Sequence, residues 1–332
     1  MKAILCTAFC GPAGLVFAEA PIRALGPRDV RIAVRACGVN FADLIMISGR
    51  YQVQPRLPFT PGLEAAGVVT EVGAEVRGFR PGDPVLALSS AGGYAEELVD
   101  DEGRFMALPK DMDFVTAAGF SVTYGTAHLG LLRRARLQAG ETLVVHGAGG
   151  GAGSAAVEVG KALGATVIAT AGSAEKLDLA RARGADHVIN SRTEDLRGRI
   201  LELTGGRGAD VIYDPVGGSV FKDSLRALAF EGRIVLIGFA SGELPQIPAN
   251  HLLVKNAEVI GLYWGGYKPR HMAALQQSLT DVIGWWRDGR LQFGTATTWP
   301  LAEAGAALSA MADRKALGKL VLTVSAPSQR VR

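Results

Sequence analysis

The stretch Leu143-Val144-Val145-His146-Gly147-Ala148-Gly149-Gly150-Gly151-Ala152-Gly153 decides the fold. Three branched or long apolar residues form a strand. Glycines then crowd the turn. Ala152, Ala155, Ala156, Val159 and Leu163 follow at steps of three and four, the period of a helix. A strand, a glycine turn and a helix start are the context that a dinucleotide site requires. Glycine lets the backbone turn sharply and approach a pyrophosphate, and the first-turn N–H groups favour its negative charge. In the strict GxGxxG spacing, Ala148 takes the first glycine's place while Gly150 and Gly153 keep theirs. Gly147, Gly149, Gly151 and Ala152 complete the expected cradle.

Working outward, strands and helices alternate. Strands are expected at 142–146, 166–170, 187–189, 210–213 and 233–237. Helices are expected at 174–183, 194–203 and 220–229. Such alternation means βαβ units and a parallel sheet, an α/β fold of the Rossmann-type doubly wound kind. Before residue 118 the texture differs. Short apolar runs at 30–36, 66–72 and 85–88 are separated by turn signals such as Pro81-Gly82-Asp83-Pro84, so this part is rich in β structure. Helix 272–286 and strand 320–324 close the chain. Two domains are expected: a catalytic one from 1–118 with 266–332, and a dinucleotide-binding one at 119–265.

Composition narrows the function classes. The 332 residues include 35 Lys plus Arg against 32 Asp plus Glu, a net charge of +3. That surplus leaves no basic footprint for nucleic acid. Glycine, 43 of 332, is about 13%, nearly twice the usual ~7%. Cys6, Cys10 and Cys37 are too few for a disulfide framework or a four-sulfur zinc site, which fits a reducing cytoplasm. Lys2 and the apolar stretch 3–17 imitate a secretory signal, but Gly11-Pro12 and Gly14 interrupt it. A strand, a turn and a second strand are expected there. No run approaches the ~20 apolar residues of a membrane span.

The choice of nucleotide turns on the end of the second strand, Ala169-Thr170-Ala171-Gly172-Ser173. NAD sites usually place a carboxylate there for the ribose 2′-OH. Here Gly172 and Ser173 leave room for a 2′-phosphate, with Lys176 and, after the third strand, Arg192 to bind it. NADPH is therefore expected. Glu175 nearby keeps NADH open.

The segments Gly38-Val39-Asn40-Phe41-Ala42-Asp43, Pro61-Gly62-Leu63-Glu64-Ala65-Ala66-Gly67, Gly93-Tyr94-Ala95-Glu96, Gly184-Ala185-Asp186-His187-Val188-Ile189-Asn190 and Tyr213-Asp214-Pro215-Val216-Gly217, with the glycine cluster, carry a resemblance. The chain resembles the zinc-less quinone oxidoreductases, the zeta-crystallin-like group of the medium-chain dehydrogenase/reductase superfamily. The resemblance implies that the first domain is GroES-like. Zinc-dependent relatives hold ligands where this chain has Asn40 and Leu63. Leucine offers no lone pair and an amide is a poor zinc ligand, so no metal is expected.

The resemblance also puts Asn40, Asp43 and Tyr51 beside the nicotinamide, and Thr123 at the cofactor. Asn40 would offer an amide N–H and Tyr51 a phenol to an acceptor oxygen. Each has a plainer reading: Asn40 caps a turn, Asp43 caps the following helix, and Tyr51 is a half-buried aromatic. Ile45 and Ser191 stand where relatives carry tyrosines. Tyr263, Trp264 and Tyr267 would wall an apolar acceptor pocket or pack the domain interface instead. The resemblance further implies a homodimer, with a tetramer possible. The expected activity is hydride transfer from NADPH to a quinone. Rivals are reduction of an α,β-unsaturated carbonyl (enone, alkenal or enoyl thioester), an NADPH-binding module with little turnover, and a zinc alcohol dehydrogenase.

Overall fold

The computed structural model describes residues 1–325; the last seven residues of the expected catalytic domain, 326–332, lie outside them. The chain opens on a hairpin, β1 (Lys2–Leu5) and β2 (Val16–Glu19), over the stretch that imitates a secretory signal. There follow β3 (Asp29–Val39), α1 (Phe41–Ile47), β4 (Ala65–Val72), β5 (Pro84–Ala87), β6 (Glu97–Asp101), β7 (Phe105–Ala107) and α2 (Phe114–His128). Then come β8 (Thr142–Val145), α3 (Gly151–Ala162), β9 (Thr166–Ala171), α4 (Ala174–Ala182), β10 (His187–Asn190), α5 (Leu196–Leu203) and β11 (Ala209–Asp214). They are succeeded by α6 (Gly218–Ala227), β12 (Leu228–Leu236), α7 (Ala249–Lys255), β13 (Glu258–Gly261), α8 (Tyr267–Arg270) and α9 (Met272–Arg287). The described chain closes with β14 (Thr297–Pro300), α10 (Ala304–Ala312) and β15 (Leu320–Thr323).

These elements form two compact units. One is Met1–Val122 joined by the chain from Thr295 onward; the other is Thr123–Gly294. The second unit thus runs past residue 265 to take in α9. The reason is packing: Leu275, Leu279 and Val282 of that helix are fully buried, and Ser278 Oγ lies 2.8 Å from His128 Nδ1.

The first unit is built on β3. This strand is buried along almost its whole length and pairs antiparallel with β15, β4 and β6. Register shifts against β4 mark bulges, which bend a sheet. Ile32, Val34, Cys37, Val39, Met46, Ile47, Val69, Leu320 and Leu322 share one core.

In the second unit, six strands run parallel in the order β10-β9-β8-β11-β12-β13. This is the doubly wound order, with its switch point between β8 and β11. All four residues of β8 are buried, as a continuous apolar run in a covered parallel sheet should be. The strand expected at 233 begins at Leu228 instead. The chain passes from α6 directly into β12, with Glu231 at a φ of 58° and a register shift against β11.

Candidate active site

The glycine cluster lies where the switch-point rule puts a ligand, at the carboxyl end of β8. His146 directly follows that strand and is buried. Its Nε2 lies 2.7 Å from Ser224 Oγ, and its Nδ1 2.9 Å from Thr170 Oγ1. Ser224 Oγ already donates to Val220 O at 2.7 Å, so it accepts from Nε2–H, and Nδ1 accepts from Thr170. The ring is neutral, and burial holds its pKa below the ordinary range. It clasps β8, β9 and α6 together.

Gly147 then takes a φ of 62°, and Ala148 N donates to Thr170 O at 3.0 Å. Gly150 is the extended N-cap of α3. A Cβ on Gly153 would stand 2.3 Å from Gly147 O, so only glycine lets the helix approach the strand this closely. A Cβ on Gly149 would meet the Lys176 side chain at 2.4 Å, and one on Gly172 would meet Arg192 Nε at 2.9 Å. Both basic side chains are therefore folded over bare backbone. Ser173 is the N-cap of α4 and makes no capping bond with its side chain, and Ser191 N donates to Ala171 O at 3.0 Å. A cradle of glycine backbone, a helix N-terminus and two flanking cations fits the phosphates of a dinucleotide.

The first unit holds a second constellation, around a fully buried carboxylate. Glu64 Oε1 accepts from Lys319 Nζ at 2.8 Å and from Asn40 Nδ2 at 2.9 Å. Glu64 Oε2 accepts from Val122 N at 2.8 Å and from the Ser121 hydroxyl. Burial alone would raise this carboxyl's pKa; the Lys319 charge and the donors outweigh it and hold the group below the ordinary range. Gly38 makes the room, since a Cβ there would lie 2.2 Å from Glu64 Oε1 and 2.3 Å from Ala118 O. Lys319 Nζ also donates to Asn40 Oδ1 at 2.7 Å and to Val39 O at 3.0 Å. Cys37 Sγ donates to Glu64 O at 2.8 Å, and burial pushes its thiol well up, so it is no nucleophile.

Asn40 and Asp43 are both engaged by protein partners. An ammonium can only donate, so the Asn40 atom beside Lys319 is Oδ1. Both hydrogens of Nδ2 then point inward, to Glu64 and to Gly38 O at 3.3 Å. Asn40 therefore has no N–H left for an acceptor oxygen. Asp43 is fully buried and accepts from Asn40 N and Tyr94 OH, each at 2.9 Å, and from Gly62 N at 3.3 Å. It caps α1. Burial raises its pKa from 3.8 to about 6, against the lowering effect of those bonds.

Tyr51 and Ile45 are half-buried in the first unit, and Thr123 is buried at the start of the second. Trp264 is buried, with its indole nitrogen 2.9 Å from where a Gly125 Cβ would stand and Lys268 Nζ 5.3 Å from its ring centroid. It packs inside the nucleotide unit, while Tyr263 is 38% exposed. The sequence reading missed Ser121, Tyr94 and above all Lys319. The one hint was a lone lysine entering the apolar run Leu320-Val321-Leu322.

Zinc does not fit these residues. Leu63 offers no donor atom, the Asn40 carboxamide is taken up, and every Glu64 oxygen is held by protein donors. Among the described residues, no group of three or more His, Cys, Asp or Glu is placed to hold a metal ion.

Residues 26–128 match the alcohol dehydrogenase GroES-like domain, and residues 151–280 the zinc-binding dehydrogenase domain. The chain is 40% identical to quinone oxidoreductase-like protein 2 of Rattus norvegicus, covering 97% of this chain and 92% of the relative. The structure of Escherichia coli quinone oxidoreductase complexed with NADPH superposes with a TM-score of 0.90 at 30% identity, covering 97% of this chain and 100% of that one. The CurK enoyl reductase gives 0.88 at 27%, covering 98% and 99%. With the paired domains, the 3-2-1-4-5-6 sheet and the glycine cradle, the chain belongs to the quinone oxidoreductase-like group of the medium-chain dehydrogenase/reductase superfamily.

Proposed function

We propose that the protein is an NADPH-dependent reductase that passes hydride to a quinone without a metal. The observation that carries the reading is the pair Lys176 and Arg192, folded over Gly149 and Gly172 at a strand end that bears no carboxylate. A 2′-phosphate is the ligand that such a site selects. The relative solved with NADPH supports it.

When bound, the cofactor supplies the hydride. The chain's own part is to hold and orient it. First-turn amides of α3, at Gly151 and Ala152, meet the pyrophosphate, and the glycines admit it. Ser173, Lys176 and Arg192 hold the 2′-phosphate, with Ser191 and Thr123 as further cofactor contacts. Tyr51 is the proposed donor to the acceptor oxygen, and Ile45 offers an apolar surface in the same unit. Asn40 and Asp43 position rather than donate. The reduced quinone takes its remaining proton from water, so no fixed general acid is needed. Three free cysteines fit a reducing cytoplasm.

The test is NADPH and NADH oxidation against a panel of quinones, alkenals and enoyl thioesters. Turnover with quinone and NADPH is expected, and its absence refutes the reading. Lys176→Ala or Arg192→Ala should each raise KM for NADPH about 10–100-fold, the worth of a charge-assisted bond, and leave NADH unchanged. The second reading, reduction of α,β-unsaturated carbonyls, is favoured by the likeness to the enoyl reductase CurK. Turnover confined to enones or thioesters would select it.

A further inference from the structure

We propose that the Lys319 ammonium is a built-in cation that takes up the donor atoms a metal would need beside Glu64, and that it is a positioning residue for hydride transfer. The inference rests on the reductase reading. Its first support is placement. Asn40, which the resemblance sets at a zinc-ligand position, has Lys319 Nζ as its cation, 2.7 Å from Oδ1. The same nitrogen lies 2.8 Å from Glu64 Oε1 and 3.0 Å from Val39 O. Three N–H bonds thus meet three acceptors, and the ammonium is fully coordinated in a site only 9% exposed.

The second support is necessity. Glu64 is wholly buried, and Gly38 lets backbone pass close beside it. A carboxylate so placed needs a cation, and removing one member of a buried pair leaves the other uncompensated. Lysine supplies the charge through the chain itself and leaves a metal no open donor.

The third support is what the cation orients. It fixes which end of the Asn40 carboxamide faces inward, and with it the first turn of α1. Through Glu64 it holds the Ser121 hydroxyl and the Val122 amide. Thr123, the expected cofactor contact, is the next residue. A carboxylate that captures an N–H in mid-helix sets the local path of α2.

The test uses Lys319→Ala, Lys319→Arg, Glu64→Gln and the double variant Lys319→Ala/Glu64→Gln. Lys319→Ala should lose about 10–100-fold in kcat, as loss of an orienting partner does, with KM for NADPH within about twofold. Ethylammonium should restore part of that kcat and leave the unsubstituted protein unaffected. In the double variant, thermal stability should recover, because no lone charge remains buried, while kcat stays low. An unchanged kcat in Lys319→Ala would refute positioning, as would recovery of kcat together with stability in the double variant. Zinc titration by calorimetry supplies a readout free of turnover. No Glu64-dependent site is expected; one zinc per chain that disappears in Glu64→Gln overturns the built-in cation. If the unsubstituted protein fails to oxidise NADPH with any acceptor of the panel, the reductase reading fails, and the titration and stability cycle still judge the Lys319–Glu64 pair.

Discussion

At the scale of single residues, two buried carboxylates in one unit titrate in opposite directions. Glu64, held below the ordinary range by Lys319, contributes stability that is present above the ordinary carboxylate pKa and lost as pH falls. Asp43 behaves the other way. Its folded pKa of about 6 lies above the ordinary 3.8, so the native state binds the extra proton. Its contribution is full below the ordinary value and is lost as pH rises to about 6. Chemical denaturation of the protein and of Asp43→Asn at a series of pH values should therefore show the stability difference shifting against the parent across that window. A flat difference would mean that Asp43 is not desolvated as described. The residue scale is also where the sequence was least legible. Asn40, Asp43 and Glu64 could be picked out, since they lie in recognisable local segments. Their partners Tyr94, Ser121 and Lys319 come from 51, 57 and 255 residues away in the respective bonds. No spacing rule reaches that far. The Asn40 amide was illegible for the same reason: its N–H groups go to Glu64 and Gly38 O, and a lysine 279 residues away fixes its carbonyl end.

At the scale of elements, the βαβ half of the chain could be read closely. Hydrophobic period, glycine punctuation and capping residues act over a few positions, so β8, α3, β9 and α4 fall within a residue or two of expectation. The exception is β12, whose early start depends on a register shift against a neighbouring strand, a tertiary matter. The same elements yield a prediction. Gly153→Val would set side-chain atoms against Gly147 O, already 2.3 Å from the Cβ position, and against Ala148 Cα at 2.7 Å. Overpacking of this kind costs about 1–3 kcal/mol. Calorimetric melting should register that loss, and fluorescence titration should show weaker NADPH binding. A variant that melts and binds like the parent would show that α3 does not depend on this close approach.

At the scale of the whole molecule, β13 is an edge. It pairs with β12 on one side and closes the strand order. Beside it in sequence, α7 leaves Leu253 and Val254 at 77% and 72% exposure. An open edge flanked by bare apolar side chains invites a second copy. Light scattering should give a dimer for the protein and a monomer for Leu253→Glu/Val254→Glu; a parent that is monomeric at micromolar concentration would discard this face as the contact. The fold was legible because it follows from patterns repeated along the chain, whereas the Glu64 site is assembled from four separate segments and exists only once the first unit has closed. That assembly carries a last consequence. A cofactor metal must be scavenged, competed for and retained, and a chelator or a starved medium can strip it. The positive charge beside Glu64 is made on the ribosome, arrives at one per chain by stoichiometry, and has no off-rate.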